Sequence, residues 1–116
     1  MNSKLTTYGN RVTLRDGRVL AFQFPILDAV QFNDALIVCY SFDHFKKNDC
    51  NVFGYDKYGS LVWQVKPQKV IGYNNKNPYA GIRIEDDNTA GLINVRGWVI
   101  IVDPSTGEVM GKDWTK

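Results

Sequence analysis

The sequence predicts an all-β fold of antiparallel meanders, and three observations carry that expectation. First, Asn51 to Val65 (NVFGYDKYGSLVWQV) reads as a β-hairpin. Val52, Phe53 and Tyr55 on one arm and Leu61, Val62, Trp63 and Val65 on the other flank Asp56-Lys57-Tyr58-Gly59, where Gly59 supplies the positive φ of a tight connection. Second, the same design recurs at Trp98 to Gly111 (WVIIVDPSTGEVMG). Asp56 and Asp103 are 47 residues apart and Gly59 and Gly107 are 48 apart, room for a three- or four-stranded unit and hence for two units in series. Third, the remainder divides into short β-rich runs punctuated by turn residues, about nine strands with no convincing helix.

In chain order, Leu5 to Tyr8 reads as a short strand ended by Gly9-Asn10. Arg11 to Leu14 and Arg18 to Phe24 flank Asp16-Gly17, a strong hairpin signal. In the second arm Val19, Ala21 and Gln23 alternate with Leu20, Phe22 and Phe24, the pattern of a sheet with one wetter face. Pro25 removes a donor, so the following ILDAVQFND is expected as an edge strand or extended crossing. Ala35 to Phe42 is an apolar run of strand length and the expected most buried strand, needing a neighbour on each edge and cover on both faces.

Asp43 to Asn51 is polar and reads as a surface loop. After the central hairpin, Val70 to Tyr73 is expected as a short strand and Asn74 to Pro78 as a loop. Tyr79 to Glu85 places Ile82 and Ile84 on one side and Gly81, Arg83 and Glu85 on the other. Asp86-Asp87-Asn88 turns, Ala90 to Val95 returns, Arg96-Gly97 turns again, and Trp98 to Val102 follows. Glu108 to Met110 is the last arm, before a polar tail containing Trp114. The expected organisation is a single all-β domain over residues 1–116, with repeat units at 5–73 and 79–114.

Hydrophobic residues make up 44% of the chain, enough for a core, and the formal charge is only +2. The charge is unevenly spread. His44 to Ile84 carries seven cations against Asp49 and Asp56, a net of +5, whereas Glu85 to Lys116 carries six acids against three cations, a net of −3. Only one arginine falls in the basic window, which weighs against a concentrated nucleic-acid-binding face. The N-terminus lacks the apolar core of a signal peptide and no run approaches a membrane span, so a cytoplasmic location is expected. Cys39 lies within the apolar run and Cys50 follows a polar loop. They are expected as reduced thiols, although a bridge across neighbouring strand ends is geometrically possible.

No residue pattern marks catalysis. His44 is the only histidine and has no spaced partner ligands of the CxxC or HxxxH kind. The chain contains neither GxxxxGK[ST] nor GxGxxG, so no nucleotide or other cofactor is expected. Glu85, Asp86 and Asp87 form the one carboxylate run. Adjacent turn acids seldom face each other as glycosidic chemistry requires, and binding basic groups of a protein partner is the more natural use. The loop Tyr73 to Tyr79 (YNNKNPY) combines tyrosines with asparagines and a lysine, a mixture suited to interfaces or to stacking on nucleobases. Trp63 and Trp98 are expected in the core.

The strand ending in Asp56, the turn through Gly59 and the return strand carrying Trp63 resemble a blade of a quinoprotein-type β-propeller, and Asp103 to Gly111 has the same look. A propeller needs about four blades to close, so the resemblance implies a half-propeller or a compact sandwich of two blade-like units. The pattern is also similar to immunity proteins of bacterial contact-dependent growth inhibition and related polymorphic toxin systems. That resemblance implies a non-catalytic protein that binds the C-terminal toxin domain of a sister cell, often a nuclease, and blocks it. The interface expected on this reading comprises Asp43, Asp49, Tyr73, Lys76, Tyr79, Glu85, Asp86 and Asp87. The alternatives are a small nucleic-acid-binding β module using Lys46, Lys47, Lys66, Lys69 and Lys76 with exposed tyrosines, and a carbohydrate- or ligand-binding β domain.

Overall fold

Turns at Gly9-Asn10, Asp16-Gly17, Asp56 to Gly59, Asp86 to Asn88, Arg96-Gly97 and Asp103 to Gly107 separate strands as expected, and Asn33-Asp34 adds a turn where an unbroken edge strand or crossing is expected. A computed structural model describes residues 2–41, 50–68 and 78–114, and among these lie twelve strands and no helix. They are β1 (Ser3–Lys4), β2 (Thr6–Tyr8), β3 (Arg11–Thr13), β4 (Val19–Ala21), β5 (Ile26–Phe32) and β6 (Ala35–Tyr40). The remainder are β7 (Val52–Asp56), β8 (Leu61–Gln64), β9 (Tyr79–Asp86), β10 (Thr89–Asn94), β11 (Trp98–Val102) and β12 (Val109–Trp114). The fold is all-β with every pairing antiparallel. The described strands close into neither a barrel nor a propeller.

Three sheets form, in the orders β2-β3-β4, β1-β5-β6-β7-β8 and β12-β11-β10-β9. Residues 79–114 make one of them, whereas 5–73 contributes two, because the first hairpin forms its own sheet rather than joining the next meander. The 47-residue spacing has a topological meaning. Asp56 and Asp103 open the turn between the third and fourth strands of two four-stranded meanders, β5 to β8 and β9 to β12. Gly59 and Gly107 both adopt positive φ, 87° and 76°, a region that costs a side-chain-bearing residue free energy.

The five-stranded sheet is the middle layer. Alternate residues of β6 point to opposite faces, so Ala35, Ile37 and Cys39 enter one cluster with Val52 and Trp63 of the same sheet and Ile82, Leu92, Trp98 and Ile100 of the four-stranded sheet. Leu36, Val38 and Tyr40 enter the other with Val12, Leu14, Leu20, Phe22 and Phe24 of the three-stranded layer. All six residues of β6 are buried for this reason. The alternation expected in the first hairpin follows the same rule: Leu20, Phe22 and Phe24 turn inward and Val19, Ala21 and Gln23 outward.

Three expectations are corrected. The segment after Pro25 is an interior strand, not an edge: β5 lies between β1 and β6, and Pro25 precedes its first residue, where a missing donor breaks no ladder. The last arm continues to Trp114, paired with β11 as far as Trp98. Asn51, expected at the end of a surface loop, is fully buried. The strand expected at Val70 to Tyr73 lies outside the described residues, as does most of the Asp43 to Asn51 loop.

Asn51 is buried because strand β9 needs it. β9 is an edge of its sheet, and an edge strand carries unpaired backbone groups. Asn51 Oδ1 accepts the Tyr79 N–H at 2.8 Å, and its Nδ2 donates to the Tyr79 and Tyr40 carbonyls at 2.9 Å each. Further along, Asp28 Oδ2 accepts the Ile82 N–H at 2.9 Å and pairs with Lys4 Nζ at 2.6 Å, while Lys4 also donates to the Ile82 carbonyl. Side chains of the middle sheet thus satisfy backbone groups of the neighbouring sheet and fix how the two layers meet.

Candidate functional site

Hairpin turns recruit Asp and Asn because their side chains accept backbone N–H groups two residues on. Asp103 Oδ1 takes the Ser105 N–H at 2.8 Å, Asp86 Oδ1 the Asn88 N–H at 2.8 Å, and Asp56 Oδ1 the Tyr58 and Ser60 N–H groups at 2.9 and 3.0 Å. Meander stacking then places the Asn33-Asp34, Asp87-Asn88 and Asp103-Pro104-Ser105 turns, from two sheets, at one end of the molecule. Between them lies a cleft of about 370 Å³ lined by Asp34, Asp87 and Asp103 together with Phe32, Pro104 and Ser105. Three carboxylates around one concavity hold a locally negative field that the small overall charge conceals.

Asp103 is held there by the core. Trp63 of β8 is buried, and its Nε1 donates to the Pro104 carbonyl at 2.8 Å. The indole fits only because two glycines face it. A Cβ on Gly54 would lie 1.9 Å from Nε1, and one on Gly107 would lie 2.5 Å from Cδ2. The two hairpins recognised in the sequence are therefore joined physically: the tryptophan of one carries the turn of the other. Trp63 also floors a second groove, about 520 Å³, between β8 and the start of β12, bordered by Val62, Lys66, Glu108 and Val109.

The carboxylate run divides into three roles. Glu85 pairs with Arg83, which also reaches Asp113 at 3.4 Å on the outer face of the sheet. Asp86 caps its own turn, and the N–H it accepts from Asn88 holds its pKa below the usual carboxylate value. Asp87 alone of the three lines the cleft. Tyr79 is corrected outright: it is 1% exposed and packs edge-on against Trp98 with centroids 5.8 Å apart, so its ring belongs to the core and is closed to a partner. Asp43, Asp49, Tyr73 and Lys76 lie outside the described residues.

Asp34 and Asp103 join the cleft without having been singled out as binding residues. Asp103 reads as a turn former, whereas Asp34 falls at the end of the segment expected as an edge strand or extended crossing; that both share a cleft with Asp87 depends on which ends of the two sheets coincide.

Among the described residues no group of three or more His, Cys, Asp or Glu side chains could hold a metal ion. Cys39 and Cys50 are both buried, and they are not joined in a disulfide. Burial, reinforced by the charge of Asp28, pushes the Cys39 thiol up to about 12, and a thiol without its thiolate is a poor nucleophile. At pH 8 Cys39 is expected to resist an aromatic disulfide reagent in the native protein and to react within the mixing time once urea unfolds it. Rapid native labelling of Cys39, mapped by mass spectrometry, would contradict this packing.

No candidate membrane span is found among the described residues: no helix there is long and apolar enough to cross a membrane. One family model, described as "Domain of unknown function (DUF7957)", matches residues 2–114. No curated protein and no solved structure matches the chain.

Proposed function

The chain belongs to the DUF7957 family, and from its surface chemistry we propose that it is a non-catalytic binding domain whose acidic turn end receives a basic surface of a partner protein. The observation that carries this reading is the convergence of Asp34, Asp87 and Asp103 on one cleft from three separate turns. The partner is the C-terminal toxin domain, of nuclease type, of a contact-dependent inhibition system, and the cytoplasm is where the two meet. A nuclease gathers cationic side chains where it grips phosphates, and an acidic cleft offers those groups competing carboxylates. Opposed local fields speed encounter and exclude wrong partners even when the net charge of the binder is slightly positive.

Architecture supports the same role. Two four-stranded meanders with equivalent Asp-to-Gly turns pack against each other, an arrangement we read as two blades of a half-propeller, and their packing brings the turns at 34, 87 and 103 to one cleft. A rigid cleft loses little conformational entropy on binding. The cleft walls are Phe32 and Pro104, both buried, so the carboxylates stand on packed supports.

The test is capture of a stoichiometric partner by the full chain from cells carrying its native genomic neighbourhood, followed by titration. The triple variant Asp34→Asn, Asp87→Asn, Asp103→Asn is expected to weaken the captured toxin domain about 100-fold or more, chiefly by slower association at low salt, with an unchanged thermal melt. Equal affinity of the variant would move the interface elsewhere. Capture of no protein partner would end the inhibitor reading.

A further inference from the structure

We propose that the outer face of the three-stranded sheet, opposite in chemistry to the acidic cleft, binds single-stranded nucleic acid. The face is built by strand alternation. Val12 and Leu14 point into the core, which leaves Tyr8, Arg11, Thr13, Val19 and Ala21 outward and exposed. Tyr8 and Arg11 are directly opposite each other in the β2–β3 ladder, so a cation stands beside an aromatic ring that is 84% exposed. Three of the chain's five arginines, Arg11, Arg15 and Arg18, fall on this one hairpin.

A neighbouring turn extends the strip. Arg18 Nη2 donates to the Lys57 carbonyl at 3.0 Å, which ties the β3–β4 turn to the β7–β8 turn. Lys57 and Tyr58 lie on that adjoining turn, beside the face rather than on it, with Tyr58 71% exposed and the Lys57 ammonium 5.4 Å from its ring centroid. Tyr8 and Tyr58 are the two most exposed large hydrophobic side chains of the described residues. Against four cations stand two acids. Asp16 is paired with Arg18 at 2.8 Å, and Asp56 Oδ1 is turned to its own turn's N–H groups.

Charge complementarity selects a polyanion, and the exposed rings select one whose bases are accessible. Phosphates neutralise the cations while unpaired bases stack on tyrosine faces, a combination that tolerates any sequence. A duplex keeps its bases stacked inside and offers this face only its phosphates.

The experiment is fluorescence anisotropy of the full chain with a labelled 20-nucleotide poly-uridine RNA, the matching deoxythymidine strand and a duplex of equal length. Both single strands are expected to bind, with affinity falling about 20-fold between 50 and 200 mM salt for roughly three neutralised phosphates. Tyr8→Ala is expected to weaken binding about 10-fold while Tyr8→Phe retains it, and Arg11→Ala with Arg15→Ala lowers the salt slope by about 1.4. All variants should keep the wild-type thermal melt, since the side chains are exposed. Absence of saturable binding at 50 mM salt overturns the proposal. So does duplex binding as tight as single-strand binding, or affinity indifferent to Tyr8→Ala and to the arginine pair.

Discussion

Asn51→Leu is expected to cost about 3–6 kcal/mol of unfolding free energy, read as a fall in the urea midpoint with little change in slope. The side chain is similar in volume, so packing loss is minor. The loss comes from three backbone groups bonded to Asn51 at 2.8–2.9 Å: the Tyr79 N–H, and the Tyr79 and Tyr40 carbonyls, which would keep only long contacts from Cys39 Sγ at 3.5 and 3.9 Å. Each buried polar group left without a partner costs about 1–3 kcal/mol. Small domains are stable by only about 5–15 kcal/mol, so this change brings the protein close to unfolding. A fall of less than about 1 kcal/mol would mean that water replaces the amide.

Asn51→Asp separates hydrogen bonding from shape and gives the effect a pH sign. The carboxylate still accepts the Tyr79 N–H but faces two carbonyls where the amide donated. Burial and those carbonyls raise its folded pKa above the unfolded value of about 3.9. A group raised on folding contributes stability that is present below its unfolded pKa and lost as pH rises through its folded pKa. The variant's deficit relative to wild type is therefore smallest near pH 4 and grows toward neutrality. A deficit independent of pH would show that the introduced acid does not titrate across this range.

The second large effect concerns the indole that joins the two hairpins. Trp63→Ala is expected to cost about 3–5 kcal/mol, the range for deleting a buried aromatic, and to release the Pro104 carbonyl that now accepts from Nε1. Gly54→Ala is expected to cost a comparable amount, although it adds a single methyl group, because that methyl would lie 1.9 Å from the indole nitrogen. The double variant tests the geometry. With the indole gone, Gly54→Ala should add less than about 1 kcal/mol, a strongly non-additive pair. Additive costs would show that the glycine matters for its backbone instead. Because Asp103 precedes the tethered Pro104, loss of Trp63 should also weaken partner binding at the acidic cleft in variants that remain folded.

Local patterning carried much of the fold. The apolar run of β6 predicted its strand, alternation in Arg18 to Phe24 predicted which side chains turn inward although the strand itself spans only Val19–Ala21, and Asp-to-Gly turns marked the ends of both long hairpins. These signals are local because side-chain direction alternates with every residue and turn geometry depends on a few φ angles. Pro25 misled because the same residue is compatible with an edge or with a strand's start, and only pairing distinguishes them. Tyr79 misled because a tyrosine beside an Asn-rich loop is equally suited to an interface and to a core. Asn51 was least legible: a polar residue at the end of a polar loop carries no mark of the neighbouring strand whose backbone it completes.

Local pattern along the chain is enough for the all-β class, the antiparallel hairpins, the buried run of β6 and the spacing that puts Asp56 and Asp103 in equivalent turns. Long-range packing sets the rest: that the described strands make three sheets, that Trp63 of one meander holds the turn of the next, and that Asp34, Asp87 and Asp103 share a cleft. The reason is one of range. Strand period and turn chemistry are set by neighbours along the chain, whereas the convergence of turns 34, 87 and 103 depends on how layers stack. That stacking is fixed by contacts such as Asn51 to Tyr79 and Asp28 to Ile82, 28 and 54 residues apart.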